Sequence, residues 1–451
     1  MKVSVIGLGY VGSVAAACLA SAGHDVLAID IDADKVKAYR ELDIPIFESG
    51  LREYLDAGIQ SGRLRFAVPQ DVGEPLGEVV VIATGTPPTE TGAADLNQVK
   101  ESLHWVKERD GGLRTVLVKS TVPPGTGERL RKTILQGTKI NYVSNPEFLR
   151  EGHAIDDWCH PDRIVVGGDG ESLVTMKKLY AEIDAPYVLT DITSAEMIKY
   201  TANAFLATKI SFINEIASLC ERVGATIDDV TEGISLDPRI GSSFLRAGVG
   251  YGGSCFPKDV RALDQVALTN DLNFELLRSV ITVNNRQRHL PLYALRERFG
   301  KLSGLTVGIL GVAFKPNTDD VREAPSLELI RLLIDDGANV KIYDPKASYA
   351  AQAVLPDSVD CSRTFEDCVN QTDALVLMTE WNQIVEADWE TAAQTMKPTR
   401  YIFDGRNALN PAKMKMLGFD YRGIGRPVSS MQHDKAILKL STESRTSKTI
   451  G

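Results

Sequence analysis

Lys2-Val-Ser-Val-Ile-Gly7-Leu-Gly9-Tyr10-Val11-Gly12, continued by the small-residue run Ser13 to Ala22 and then by Asp25-Val-Leu-Ala-Ile-Asp30, decides the fold of this chain. The apolar opening reads as a buried strand, the glycines as a turn, Ser13 to Ala22 as a helix and Asp25 to Asp30 as the next strand. In such a G-x-G-x-x-G turn Gly7 permits the tight bend, Gly9 lets a pyrophosphate approach the backbone, and Gly12 lets helix pack on strand. Tyr10 and Val11 belong to the same cofactor loop. Asp30 follows Gly9 by 21 residues, where a carboxylate accepts hydrogen bonds from a ribose 2′-hydroxyl and favours NAD over NADP. Lys35 works the other way, since a cation tolerates a 2′-phosphate.

Outward from this unit, Val79–Thr84, Thr115–Lys119 and Asn141–Val143 read as further buried parallel strands between helical stretches. Alternating strands and helices mean a doubly wound parallel sheet. The pattern changes at Thr193-Ser-Ala-Glu196, which reads as a capping box opening a helix that runs to about Gly224. Some 30 residues at 1.5 Å each span about 45 Å, a length suited to a central connector or a dimer spine. Residues 225–295 read as mostly helical apart from a glycine-rich loop at 248–254. A second α/β unit starts near Gly304, with strands at Leu305–Gly311, Asn339–Asp344 and Asp373–Thr379. Its turn, Gly311-Val-Ala-Phe-Lys-Pro, lacks the second and third glycines, and Phe314 blocks a pyrophosphate. The first half is therefore expected to hold the dinucleotide and the second something else.

The expected fold class is α/β: two Rossmann-like doubly wound domains joined by a central helical domain with one long connecting helix. The expected partition is 1–195, 196–298 and 299–430, with a mobile tail at 431–451.

The 451 residues are 43% hydrophobic and 24% charged with a net charge of −10. That balance excludes a general nucleic-acid binder and requires locally placed cations or backbone N–H groups for any anionic ligand. Six cysteines without a C-x-x-C pair indicate reduced thiols in a cytoplasmic protein and no metal site. Lys2 and the apolar run to Ala22 imitate a signal peptide, but the glycine turn and the acidic strand after it favour a folded unit. No run of 18 apolar residues exists to span a membrane.

Chemistry concentrates at Gly248-Val-Gly-Tyr-Gly-Gly-Ser-Cys255-Phe-Pro-Lys258-Asp259. Pro257 suits a first helical turn, which places Cys255 near a helix N-terminus, where exposed N–H groups and the dipole favour the thiolate. A buried cysteine acting as a small hydrophobe is the plainer reading; four glycines in six residues make a poor core segment and argue against it. Lys199 and Asn203 share a helix face and suit an oxyanion, although a solvated lysine and an ordinary asparagine explain the spacing alone. Asn145-Pro-Glu147-Phe148-Leu149-Arg150-Glu151-Gly152 follows a strand end, so Glu147 or Glu151 is a base, a ligand contact or only a solvated carboxylate. Lys119-Ser-Thr121 is a second strand-end loop. Arg239, Lys315 and Arg322 are the cations placed where phosphates would need them.

Together these motifs resemble the UDP-glucose/GDP-mannose dehydrogenase family over about residues 1–428. The resemblance rests on Gly-Leu-Gly-Tyr-Val-Gly at 7–12, Gly-Thr-Pro-Pro at 85–88, Lys-Ser-Thr-Val-Pro at 119–123 and the 145–152 octet. Lys-x-x-x-Asn at 199–203, Gly-Gly-Ser-Cys-Phe-Pro-Lys-Asp at 252–259, Ala-Phe-Lys-Pro-Asn-Thr-Asp-Asp-Val-Arg at 313–322 and Tyr-Asp-Pro at 343–345 complete it. Phe-Glu-Ser-Gly at 47–50 departs slightly from the usual pattern, as does Thr84 before Gly-Thr-Pro-Pro.

The resemblance implies a four-electron oxidation of a nucleotide sugar, UDP-glucose ahead of GDP-mannose or UDP-N-acetylmannosamine, by two NAD⁺ and one water in a homodimer. Cys255 would form a thiohemiacetal and then a thioester. Lys199 and Asn203 would stabilise the C6 oxygen, Asp259 would activate a water or tune Lys199, and Thr121 and Glu147 would position the hydrolytic water. Thr86, Thr121, Glu151, Lys258 and Arg322 would contact NAD. Glu147 to Glu151, Lys199, Asn203, Phe244-Leu245-Arg246-Ala247-Gly248, Gly252 and Lys315 would hold the sugar nucleotide, with Arg239 reaching in from the neighbouring subunit. A non-catalytic NAD and nucleotide-sugar sensor is the rival of another class, and it has no use for a nucleophile.

Overall fold

A computed structural model of the chain describes residues 1–73, 75–109 and 112–427; the tail expected at 431–451 lies outside them. The described residues form two compact units, residues 1–204 with 258–274, and residues 205–257 with 275–427.

The strands of the first unit are β1 Lys2–Ile6, β2 Asp25–Ile29, β3 Leu64–Ala67, β4 Val79–Ile82, β5 Thr115–Val118, β6 Asn141–Ser144, β7 Ile164–Gly167 and β8 Tyr187–Thr190. They form one sheet in the order β3-β2-β1-β4-β5-β6-β7-β8. β1 pairs in parallel with β2 on one side and β4 on the other, Val5 facing Ala28 and Val81. That reversal of direction beside β1 opens a crevice at its carboxyl end, the place where such sheets bind ligands. β4 and β5 are buried at every position, as near-continuous Val and Leu runs must be when helices cover both faces. Helix Tyr10–Ser21 buries Gly12 through Ala20 without a break, which its alanine-rich sequence permits.

The sheet is not parallel throughout. β6 and β7 meet antiparallel, at Ser144 and Gly167 alone. The segment between them supplies a loop and a six-residue helix, Ala154–Cys159, instead of a crossover helix covering the sheet. β3, β7 and β8 are strands that the sequence reading does not name; β8 is a four-residue edge, Tyr-Val-Leu-Thr, whose Val188 and Leu189 are exposed.

The second unit carries β9 Thr306–Leu310, β10 Asn339–Tyr343, β11 Asp360–Cys361, β12 Ala374–Leu377, β13 Tyr401–Asp404 and β14 Asp420–Gly423. Their order is β11-β10-β9-β12-β13-β14, and every pairing is parallel. Asp344, just beyond β10, accepts hydrogen bonds from Val312 N (2.7 Å), Ala313 N (3.0 Å) and the Trp381 indole (3.0 Å). Trp381 closes over the acid, and Ala313 and Pro316 stand where the first unit has Gly9 and Gly12, with Phe314 in the place of Tyr10. The predicted loss of a dinucleotide turn here thus has a structural counterpart.

Between the two sheets in sequence the chain is helical. The helix Ile192–Val223 is 32 residues long, close to the length expected. Its start differs from the capping-box reading. Asp191 is the cap, accepting from Ser194 N at 2.8 Å and Ser194 Oγ at 2.6 Å. Glu196 turns away to accept Gly125 N and Gly127 N, each at 2.7 Å, so it caps the helix Thr126–Thr133 instead. Helix Ile227–Ser235 follows, and then irregular chain runs to Cys255. The break in the helical stretch is therefore longer than 248–254.

Candidate active site

The cofactor turn behaves as its glycines require. Gly7 has φ +94°, and a Cβ there would lie 2.8 Å from Ala83 O. A Cβ on Gly12 would lie 1.7 Å from Gly7 O, whereas one on Gly9 would meet no atom within 4 Å. The protein is tight around Gly7 and Gly12 and open beside Gly9, the geometry a diphosphate needs. Asp30 Oδ2 accepts from Leu8 N at 2.7 Å and pairs with Lys35 Nζ at 3.2 Å. Lys35 is thus occupied in pairing with Asp30. Tyr10 contributes its hydroxyl, which accepts from Gly152 N at 2.7 Å and ties the turn to the 145–152 loop.

That loop is held from below. Glu48, itself buried, accepts Gly152 N at 2.6 Å and Ala154 N at 2.9 Å. Asn145 is fixed by donation to Val165 O (2.7 Å) and by two donors on its Oδ1, Lys119 Nζ (2.9 Å) and the Tyr180 hydroxyl (2.8 Å). Glu147 then reaches inward. Its Oε2 accepts Leu149 N at 2.6 Å and its Oε1 pairs with Lys199 Nζ at 3.0 Å. Both side chains are under 10% exposed, at 7% and 5%. Phe148 carries Lys199 Nζ 5.3 Å from its ring centroid and the Arg163 guanidinium at 3.6 Å. Glu151 is buried. Arg150 points away and forms a salt bridge with Asp157 (2.6 Å).

The sequence marks Lys119 only as part of a hydroxyl-bearing loop. It is buried, and burial is the main reason its ammonium falls to about 8; Glu147 opposes that shift and Lys199 adds to it.

A second chain of polar groups starts one turn further along the Lys199 helix. Asn203 Nδ2 donates to Asp259 Oδ2 at 2.6 Å, and Lys258 Nζ pairs with Asp259 Oδ1 at 2.6 Å. Lys258 also donates to Thr86 Oγ1 (3.4 Å), whose own proton goes to Thr121 O (2.9 Å). Asp259 is 1% exposed, so the charge of Lys258 is what makes its carboxylate tolerable there. Glu147 and Lys199 thus form one bonded pair, and Asn203, Asp259, Lys258, Thr86 and Thr121 a second bonded run, all inside the first unit.

Cys255 immediately precedes helix Phe256–Thr269, and Asp259 is in that helix's first turn. The predicted helix-start position holds. The Cys255 Sγ lies 3.6 Å from Ser254 Oγ. The approach to it is gripped by buried side chains of helix Glu275–Arg288. Asn284 Oδ1 accepts Tyr251 N (2.8 Å), Gln287 Nε2 donates to Gly248 O (2.8 Å), and Arg288 donates to Tyr251 O (2.9 Å). A Cβ on Gly250 would strike Asn284 at 2.7 Å, and one on Gly253 the Phe314 ring at 2.7 Å. The glycines therefore serve a crowded approach as well as a bendable one. Gly252 passes within reach of the Glu323 carbonyl, 2.4 Å from a hypothetical Cβ.

The remaining expected substrate residues are more scattered. Phe244 has φ +62° and sits 5.9 Å from the Phe256 ring. Leu245 and Ala247 are buried in the core of the second unit, so only their backbone is left for a ligand. Arg246 contributes to holding the Glu380 carboxyl below its usual range, against burial, with Arg406 the stronger cation. Lys315 lies over the Phe314 ring, 5.5 Å from its centroid. Arg239 pairs with Asp237 (2.6 Å) and Arg322 with Asp320 (2.7 Å), both on exposed loops. Among the described residues no cluster of side chains suits a metal ion, and no helix is long and apolar enough to cross a membrane.

Models of the UDP-glucose/GDP-mannose dehydrogenase family match three successive stretches: its NAD binding domain at residues 1–184, its central domain at 193–286 and its UDP binding domain at 308–411. A UDP-glucose 6-dehydrogenase of Bacillus subtilis (strain 168) is 44% identical, over 94% of this chain and 98% of its own. One of Rhizobium meliloti (strain 1021) is 42% identical over 95% of this chain and 100% of its own. The structure of a UDP-glucose dehydrogenase from the archaeon Pyrobaculum islandicum superposes with a TM-score of 0.87 at 38% identity, covering 94% of this chain and 98% of that one.

Proposed function

The chain belongs to the UDP-glucose/GDP-mannose dehydrogenase family, and from that premise we propose that it oxidises UDP-glucose to UDP-glucuronate, consuming two NAD⁺ and one water. The observation that carries the reading is the bonded run Thr121–Thr86–Lys258–Asp259–Asn203, whose Lys258 and Asp259 lie at the start of the helix that Cys255 precedes. A binding protein has no need of a thiol placed at the start of the helix that bears such a network.

NAD⁺ bound at the Gly7–Gly12 turn and Asp30 would supply the hydride acceptor for both oxidations. The residues of the chain do the rest. Asn203 gives one amide proton to Asp259 and keeps a second for the C6 oxygen. Lys199, aimed by Glu147, supplies positive charge to the same oxygen as it becomes anionic. Cys255 adds to the aldehyde carbon, and the thiohemiacetal so formed retains a hydride to lose. The resulting thioester keeps the intermediate on the protein until water cleaves it. Glu147 takes the proton of that water, with Thr121 holding the water in place. Lys258, Thr86, Glu151 and Arg322 serve the cofactor, while Phe148 to Glu151, the 244–248 segment, Gly252 and Lys315 serve the sugar nucleotide. A cytoplasmic setting suits the six unbridged cysteines.

The helix Ile192–Val223 exposes Phe205 (64%), Phe212 (54%) and Leu219 (54%) at intervals of seven. A repeat of seven keeps one helical stripe facing a partner. We assign that stripe to a second copy of this chain, and Arg239 to that copy's diphosphate.

Limiting UDP-glucose with excess NAD⁺ tests the reaction by counting NADH. Two per sugar is expected. One would mean a simple alcohol dehydrogenase, and none would overturn the assignment. Mass spectrometry of a sample quenched during turnover should show substrate on Cys255; a clean thiol there in every quenched sample refutes the covalent route. Cys255→Ser should lose turnover while NAD⁺ binds with unchanged affinity, measured by calorimetry.

A further inference from the structure

The first unit holds a pair of thiols that no step of the oxidation uses. Cys18 lies in the last turn of helix Tyr10–Ser21, and Cys159 closes helix Ala154–Cys159, which packs against it. Each thiol is the leading influence on the other's proton affinity, through the interaction between them. Cys18 is 4% exposed and Cys159 half-buried. The Tyr54 hydroxyl stands 3.8 Å from Cys159 Sγ. Both sulfurs line a pocket of about 450 Å³ together with Tyr54, Trp158, Tyr180 and Glu182. The arrangement is asymmetric: Cys18 is buried, whereas Cys159 at the same pocket is only half-buried.

The surroundings sort the protons the same way. The interaction with Cys159, with burial, pushes the Cys18 thiol far up. The interaction with Cys18 brings Cys159 down to about 6, helped by Tyr54 and His160 and opposed by burial and Asp156. Neither sulfur is at a helix N-terminus. The thiolate is therefore supported by these neighbouring groups, against the unfavourable end of each helix dipole.

We propose that Cys18 and Cys159 are an oxidisable dithiol, with Cys159 the thiolate that meets a hydroperoxide and Cys18 the thiol that resolves it. The Cys159 sulfur attacks one peroxide oxygen, the O–O bond breaks, and the departing oxyanion takes a proton to leave as water or an alcohol. Sulfur is oxidised to the sulfenic acid and the peroxide is reduced. The Cys18 sulfur then attacks that sulfur. An S–S bond forms, the S–O bond breaks, and the hydroxide leaves with the Cys18 proton as water. Two thiols have supplied two electrons to one hydroperoxide. The bridge ties together two helices of one unit. The first begins at the cofactor turn, and the second follows the 145–152 loop, so the oxidised protein has both segments fastened from behind.

The test uses full-length protein carrying Cys255→Ser, which removes the other thiol expected to react. It is titrated with hydrogen peroxide, alkylated and digested without reductant. A peptide pair linked through Cys18 and Cys159, released by dithiothreitol, is expected. Adding Cys18→Ser should abolish the link and leave a sulfenic acid on Cys159 that dimedone traps. Before oxidation, Cys159 should alkylate at pH 7 at least about tenfold faster than Cys220 or Cys361. Full alkylation of both thiols after peroxide overturns the proposal, and so does Cys159 advancing to sulfinic acid with no linked peptide. Because the parent protein gives the linkage directly, a variant that folds badly does not decide the result.

Discussion

At the scale of single residues, the site is organised by charges that exist only because a partner is present. Asp259 is the plainest case. It is 1% exposed and holds Lys258 and Asn203 through its two oxygens. Asp259→Asn leaves the Lys258 ammonium without its anion and places an amide donor against a group that itself donates. Breaking a buried pair on one side costs about 3–5 kcal/mol, so chemical denaturation should show a loss near that size, and turnover should fall with it. Unaltered stability would mean that Lys258 finds water, and the network would not be the dry one described. Lys119 gives a different test. In the folded chain it sheds its proton near 8, and in the unfolded chain near the ordinary 10.5. Between those values the unfolded state binds more protons, so this group makes stability rise with pH there. The gain is at most about 3 kcal/mol. Lys119→Met should remove the rise, seen as converging denaturation midpoints for variant and parent between pH 8 and pH 9.5. A parent with no steeper rise than the variant would mean that Lys119 stays charged.

At the scale of elements, loops here are fixed by acids that come from elsewhere in the sequence. Glu48 accepts Gly152 N and Ala154 N, about a hundred residues away. Glu48→Gln retains one oxygen acceptor and places an amide donor against a backbone donor. Either Ala154 N loses its partner or Gly152 N keeps only the Tyr10 hydroxyl, a loss of about 1–3 kcal/mol. Hydrogen exchange should quicken at Gly152 and Ala154 while the strands keep their protection; equal exchange in both proteins refutes the anchoring role. This is also where the legibility of the sequence ends. The turn at Gly7 to Gly12, the acid at Asp30, the long helix and the helix-start cysteine were all readable. Each is a local pattern whose physics lies within a few residues. Glu48, Lys119, Asn145 and Asn284 were not, since each works through a partner brought close by the fold. Glu196 shows the limit best. Its spacing from Thr193 satisfies the capping-box pattern, yet its carboxylate closes a different helix because Gly125 and Gly127 offer two unpaired amides. The antiparallel meeting of β6 and β7 was unreadable for the same reason: apolar runs report burial, and direction is decided by the connection.

At the scale of the whole molecule, the long helix has more apolar surface than one copy of the chain covers. Phe205, Phe212 and Leu219 recur at intervals of seven and stay exposed, with Val223 four residues beyond at 53%. Single exposed apolar residues are ordinary, but a stripe of aromatic and leucine side chains on one helix marks an interaction surface. Self-association is the economical occupant, because an isologous contact sets each residue of the stripe against the same stripe in its partner. Phe212 is the middle member. Phe212→Glu places a carboxylate at the centre of the proposed contact in both copies, where two like charges would have to be desolvated together. The expected outcome is a species of twice the chain mass for the parent and of the single chain mass for the variant, by sedimentation equilibrium at micromolar concentration. Leu236→Glu, also exposed (80%) but off that helix, should leave the parent's mass intact. If Phe212→Glu still sediments at twice the chain mass, the stripe is not the seam. If the parent itself sediments as a single chain, Arg239 has no second site to serve.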